Sequence, residues 1–214
     1  MANSVIQSGQ SLSGTVDVIR TDGGGLRRCQ MDGIVLNTDD KLRAFKAWQA
    51  EFAGGTRKVV VPIASNRLAP RPLQGGRPTR YGDILPQSDD PYFPEASGYA
   101  LEMVKAKTIQ PAAFRAMEIT LTMMQGDVIR GGETFSIEHT EAGHHVYEIN
   151  RVLSRDGDDY TVKLDCPLRE RLTGFDPLNF DWPMFEAYLL PDMDIAPQIE
   201  NKRAEVSLSF REAL

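Results

Sequence analysis

Cysteine and histidine are scarce in this chain. Cys29 and Cys166 are its two thiols, and its three histidines, His139, His144 and His145, crowd into one short stretch. Two isolated cysteines rule out a disulfide scaffold. Neither has a neighbouring histidine or a helix start to lower its pKa, so both read as reduced, half-buried core residues. Long apolar runs are missing too. None approaches the roughly 20 residues that cross a bilayer, so no membrane partner is expected. The opening MANSVIQSGQSLSG lacks a basic start followed by an apolar stretch, and is expected not to be a signal peptide. Positive charge is in deficit: 24 Lys and Arg face 30 Asp and Glu, a net charge of −6, which excludes nucleic acid as a partner. No Gly-x-Ser-x-Gly, P-loop or dinucleotide fingerprint occurs, and no pair of carboxylates stands out for glycoside cleavage. The sequence therefore assigns no catalytic residue, no cofactor and no enzymatic activity.

What is present is β-patterning. The 214 residues, 41% of them hydrophobic, suit one domain spanning 1–214 with a sizeable core. Residues 15–21, TVDVIRT, alternate at the period of a half-buried strand, with Val16 and Val18 on one face. Gly23-Gly24-Gly25 is a turn, after which LRRCQM and GIVLN read as two further strands of a meander. The period then changes. In TDDKLRAFKAWQAEFAGG, Leu42, Phe45, Trp48 and Phe52 recur at helical spacing, which predicts one amphipathic helix over about 39–53. Thr38 or Asp39 caps its start and Gly54-Gly55 stops it. The stripe is expected to pack on the sheet, so Trp48→Ala is expected to cost about 3–5 kcal/mol. KVVVPI, residues 58–63, reads as a fully buried strand ended by its proline.

From 64 to 98 the pattern dissolves into a long irregular loop inserted in the domain. Six prolines punctuate it, and Arg67, Arg71, Arg77 and Arg80 make it locally basic. A loop this long is usually functional or held by a partner. Without interleaved aromatics these arginines do not make a nucleic-acid groove, and they are candidate subunit-interface residues. The second half is strand after strand. AMEITLTMM places Met117, Ile119, Leu121 and Met123 on one face; ETFSIEH, HVYEINRVL, DYTVKLD, MFEAYLL and AEVSLSF follow, joined by turns such as RDGDD. One helix among about ten strands predicts a mainly β protein, a β-barrel or sandwich. At Cys166-Pro167 a strand must leave its ladder, because proline cannot donate. Arg169 and Arg171 beyond it are either interface residues facing a neighbour's carboxylates or part of a solvated turn.

Four stretches, taken in order, resemble the distal tail proteins of long-tailed bacteriophages, which join the tail tube to the tip. They are RAFKAWQAEFAGGTRKVVVPI; GDVIRGGETFSI, a strand, a glycine turn and a second strand read as an outward hairpin; HHVYEINRVLSRDGDDYTVKLDCPLRERLTG, a hairpin and a corner; and FDWPMFEAYLLPDMDIAPQIENKRAEVSLSFREAL. Together they cover most of the chain apart from its start and the 64–98 loop. The resemblance implies a structural virion protein without enzymatic activity, built of β-barrel domains. It also implies a ring of copies of itself, commonly a hexamer, at the tail tip between the tail tube protein and the hub or baseplate protein. The alternatives are another minor tail or hub component, or a carbohydrate-binding β-module for host surface glycans. The last needs exposed aromatic faces, for which Trp182, Tyr92 and Tyr99 are candidates.

The histidines support three readings. Cross-strand His139 and His144 can bind zinc, but a structural site needs four ligands and a catalytic one three. The acidic RDGDDY and SDDPY stretches lack the ligand spacing of an EF-hand loop. No metal is assigned, and the histidines are expected at the polar tip of a hairpin, with His145 on the face opposite His144.

Overall fold

The structure is a computed structural model. It describes residues 5–7, 18–20, 26–52, 55–63, 67–74, 77–78, 102–190, 198–200 and 203–213. Most of the 64–98 loop, with Arg80 and Tyr92, lies outside the described residues, as do Tyr99 and Val16. The described residues are mainly β with one helix, as the patterning predicts. Where the sequence suggests one domain, the internal contacts divide the chain into two compact units, 1–61 with 186–214 and 62–185.

In the first unit a short pair, β1 (Val5–Gln7) and β2 (Val18–Arg20), precedes β3 (Arg28–Leu36). LRRCQM and GIVLN are thus one strand, not two. The extra residues at Asp32 and Gly33 bulge where the register to the last strand shifts, and Gly33 takes φ 69° there. The helix α1 (Asp39–Glu51) starts as predicted: the Thr38 hydroxyl accepts from the Lys41 amide, and Asp39 and Asp40 sit at the positive end of the helix dipole. Phe45 and Phe52 are buried and Leu42 is half-buried. Trp48 lies over Phe52 and Phe210 but remains 39% exposed. Gly55, at φ 87°, follows the helix; a Cβ there would sit 2.6 Å from the Leu189 carbonyl oxygen, so only glycine fits. The strand β4 (Lys58–Pro62) ends at its proline but buries only Val61, because it lies at the edge of its sheet. The expectation of a fully buried strand fails on that edge position.

The second unit holds a short pair, β5 (Leu73–Gln74) and β6 (Arg77–Pro78), and then β7 (Lys105–Thr108), β8 (Glu118–Gln125), β9 (Thr134–His139), β10 (Gly143–Asp156), β11 (Asp159–Leu164) and β12 (Pro177–Leu178). The last six form one antiparallel sheet in the order β12-β7-β8-β11-β10-β9. Ser136 of β9 and Asn179 beside β12 exchange both backbone hydrogen bonds at 2.9 Å, which nearly closes the sheet into a barrel. Closure removes the exposed edge that an open sheet would present. The alternation read from the sequence fills the interior with Ile119, Leu121 and Met123 from β8 and Tyr160, Val162 and Leu164 from β11, joined by Phe135, Tyr147 and Phe180. Met117 is only half-buried. GDVIR is not a strand. The chain leaves β8 at Gln125, and the Glu133 carboxylate then accepts from the Arg130 and Gly131 amides.

The chain continues through β13 (Met184–Leu189), β14 (Gln198–Glu200) and β15 (Arg203–Glu212). β15 carries β13 and β14 along one edge and β3 along the other. Ala204, Val206, Leu208 and Phe210 alternate into the core of the first unit. Cys29 is half-buried and Cys166 buried, and both are free thiols.

Candidate functional site

The β9–β10 hairpin sets up the site through register alone. Gly143 lies opposite His139, His144 opposite Glu138 and His145 opposite Ile137. Because side chains alternate along a strand, Phe135, Ile137 and His139 share one face with His145, Tyr147 and Ile149. That face points into the barrel. His139 and His145 are therefore buried at 6% and 1% exposure, with ring centroids 5.9 Å apart. Only His144 matches the expected polar tip; it is half-buried, 3.9 Å from Glu138 on the other face. The tip is not solvated as a whole because a segment distant in sequence packs over it.

That segment runs from the Pro167 corner to Asp176. Leu168 is buried and pairs its backbone with Arg115 and Ala116, while Leu172 exchanges hydrogen bonds with Ala112. The Tyr147 hydroxyl accepts from the Arg169 amide at 3.0 Å and lies 2.8 Å from His139 Nε2. The Glu170 carboxylate clamps the hairpin turn by accepting from the Glu141 and Ala142 amides. The Asp176 carboxylate accepts from the Thr173 and Gly174 amides and the Thr108 hydroxyl. Between these elements lies a cleft of about 560 Å³, with His139, Arg169, Glu170, Arg171 and Asp176 in its lining and Phe114 at its rim.

Electrostatics follow from this packing. Burial, reinforced by the neighbouring His145, pulls the His139 pKa down to about 4, against the opposing pull of Glu170 and Asp176. The Ala142 and Glu141 amides hold the Glu170 carboxyl below its ordinary value. Burial alone would raise Asp176, but its bonds from Gly174, Thr108 and Thr173 outweigh it and leave the pKa lowered.

The His139 shift makes a testable contribution to stability. Its folded value of about 4 lies below the ordinary 6.5, so between these values the unfolded chain binds a proton that the folded chain refuses. Stability is lost as pH falls through that window, by on the order of 3 kcal/mol at roughly 1.4 kcal/mol per pKa unit. Urea titrations of the wild type and His139→Gln across the window check this. The difference in unfolding free energy between them is expected to change with pH in that sense, and a constant difference would contradict the assignment.

Of the arginines singled out by sequence, the cleft brings together Arg169, half-buried, and Arg171, exposed. It does not include Arg67, which is exposed, or Arg71, which is half-buried. The Arg77 side chain and all of Arg80 lie outside the described residues. Sequence reading missed His139, His145, Tyr147, Glu170 and Asp176 as a group. The signal for the first three was parity: Phe135 and Ile137 already point inward, and counting on in twos reaches His139. Among the described residues, no group of three or more His, Cys, Asp and Glu is placed to hold a metal ion. No protein-family model matches the chain, and no curated protein matches it.

Proposed function

We propose that the chain is a structural tail-tip protein of a long-tailed bacteriophage, a ring-forming subunit that joins the tail tube to the hub or baseplate. The observation that carries this reading is the nearly closed six-stranded barrel, accompanied by a separate sheet unit bearing one helix. It agrees with the β-barrel domains that the sequence resemblance implies. Exposed apolar side chains on the barrel unit add support. Leu68, Leu73, Phe114, Met124 and Phe175 are all more than half exposed, and contact with an adjacent copy would take such side chains out of water. In this reading Arg67 and Arg71, with Arg77 and Arg80 of the same basic segment, meet acidic surface on an adjacent copy, and Arg169 and Arg171 present a second contact. Several arginines on carboxylates at a partly buried interface fix register more than they add affinity.

Size-exclusion chromatography with light scattering tests assembly. A discrete oligomer whose mass is a whole multiple of 23.8 kDa is expected, six copies for the commonest ring. A monomer at every concentration would contradict ring formation by the chain itself. A glycan-binding module is the second reading, favoured by Phe114, 59% exposed beside the polar cleft. Binding on a glycan array that is lost in Phe114→Ala would favour it.

A further inference from the structure

We propose that the barrel unit carries both halves of a head-to-tail contact, in which the arginine-rich arm of residues 67–78 on one copy docks in the acidic cleft beside Phe114 on the next. The inference rests on the ring-forming reading and deepens it by naming the two surfaces that meet.

The arm is rooted on its own barrel. Pro70 is buried, and its carbonyl oxygen accepts from the Asp127 amide at 2.8 Å. Gly126 makes room for this oxygen, since a Cβ there would stand 2.8 Å from it. Leu68 reaches towards Gly132, its Cδ1 3.6 Å from the place a Cβ would take. Beyond the root, Leu73 pairs with Pro78 and Gln74 with Arg77, so the chain returns on itself as the short antiparallel pair β5–β6. Pro70 and Pro72 fix their own φ angles and so reduce the entropy lost on docking. From 67 to 80 the sequence holds four arginines and no Asp or Glu. Arg67, Leu68 and Leu73 face solvent, so the arm presents charge and apolar surface together.

The cleft has the complementary character. Glu138, Glu141, Glu170 and Asp176 line it against Arg169 and Arg171, which leaves carboxylates in excess. Phe114 at its rim offers an exposed apolar face to the leucines. The two surfaces lie at opposite ends of β9. Asp127 and Gly132, which hold the arm, belong to the connection that enters β9 at Thr134, whereas the cleft begins at His139, where the strand ends. Strand geometry puts about 17 Å between those two residues. Complementary surfaces at opposite ends of one body join head to tail, and such contacts generate rings when the rotation from copy to copy closes. Arm against arm, or cleft against cleft, would set like charges together, which disfavours a two-fold contact.

Charge reversal tests the contact, read by size-exclusion chromatography with light scattering on the full chain. The arm variant carries Arg67→Glu and Arg77→Glu; the cleft variant carries Glu138→Lys and Glu141→Lys. Each alone is expected to run as a 23.8 kDa monomer, with association weakened about tenfold per reversed charge. Mixed, the two are expected to form a dimer and nothing larger. The intact arm of one meets the intact cleft of the other, and the remaining reversed ends set no further contact. That dimer would also show that both variants fold. A wild-type oligomer whose variants assemble unchanged would overturn this contact and leave the ring reading standing. A wild type that is monomeric at every concentration would overturn both. Dissociation of only one variant, or no dimer on mixing, would place the arm against a different surface and overturn the contact. Should a variant fail to fold, salt decides with the wild type. Dissociation of the oligomer between about 0.05 and 0.5 M NaCl supports the contact, and an oligomer indifferent to salt overturns it.

Discussion

Replacing Phe180 with alanine is expected to cost about 3–5 kcal/mol of unfolding free energy, the range for emptying a large aromatic site that cannot collapse. Phe180 is fully buried, and its ring lies 5.2 Å from Phe135, which in turn lies 5.9 Å from Tyr147. The preceding residue, Asn179, exchanges both backbone bonds with Ser136, so the walls of the cavity are held apart at the seam that closes the barrel. Relaxation is blocked there, and the cavity term stays large. Trp48 provides the contrast. The helical stripe in the sequence ranks it with the core, but at 39% exposure its ring covers Phe52 and Phe210 from outside. The expected cost of Trp48→Ala is accordingly reduced to about 1–2 kcal/mol, since only part of the ring leaves water on folding. Equilibrium denaturation of both variants checks the order. A Trp48 variant as damaged as the Phe180 variant would contradict this burial.

Asp181→Ala is expected to cost about 2–4 kcal/mol, from polar groups and not from volume. The Asp181 side chain is 8% exposed, and its Oδ2 accepts from the Met103 amide at 2.8 Å and the Val104 amide at 3.2 Å. Met103 and Val104 are buried and lead into β7, so loss of the acceptor leaves two amides without water or a partner. Asp181 Oδ1 is buried with no hydrogen-bond partner, and any gain from removing that unsatisfied atom offsets only part of the loss. Asn at 181 retains an acceptor for the two amides but puts an NH₂ where Oδ1 lies, so its cost is expected to be intermediate, about 1–2 kcal/mol. Urea midpoints of the three proteins at constant m-value decide. An alanine variant within about 0.5 kcal/mol of wild type would mean the amides find other acceptors.

The sequence revealed those elements whose pattern is local. β8, β11 and β15 are legible because each alternates apolar and polar residues over most of its length. The helix is legible because Thr38, the paired aspartates and the stripe agree on one boundary. RDGDD is legible because Gly157, at φ 61°, supplies the conformation a two-residue hairpin turn requires. Features that depend on partners were not legible. Two apparent strands merge into β3 only because β15 accommodates a bulge opposite Gly33. KVVVPI looks buried by composition, yet its place at a sheet edge leaves Val60 48% exposed. The histidines were misjudged for the same reason. A hairpin tip is normally wet, and only the Pro167–Asp176 segment, held by Tyr147 and Glu170, turns this one into a covered end.

The central claim, that this chain is a component of a virion tail tip, is tested most directly by labelling. Antibody raised against the purified chain, bound to intact phage particles and imaged by electron microscopy, locates the protein on the tail. The account predicts label confined to the distal end of the tail tube. Particles that carry no label and contain no trace of the chain by mass spectrometry would contradict it.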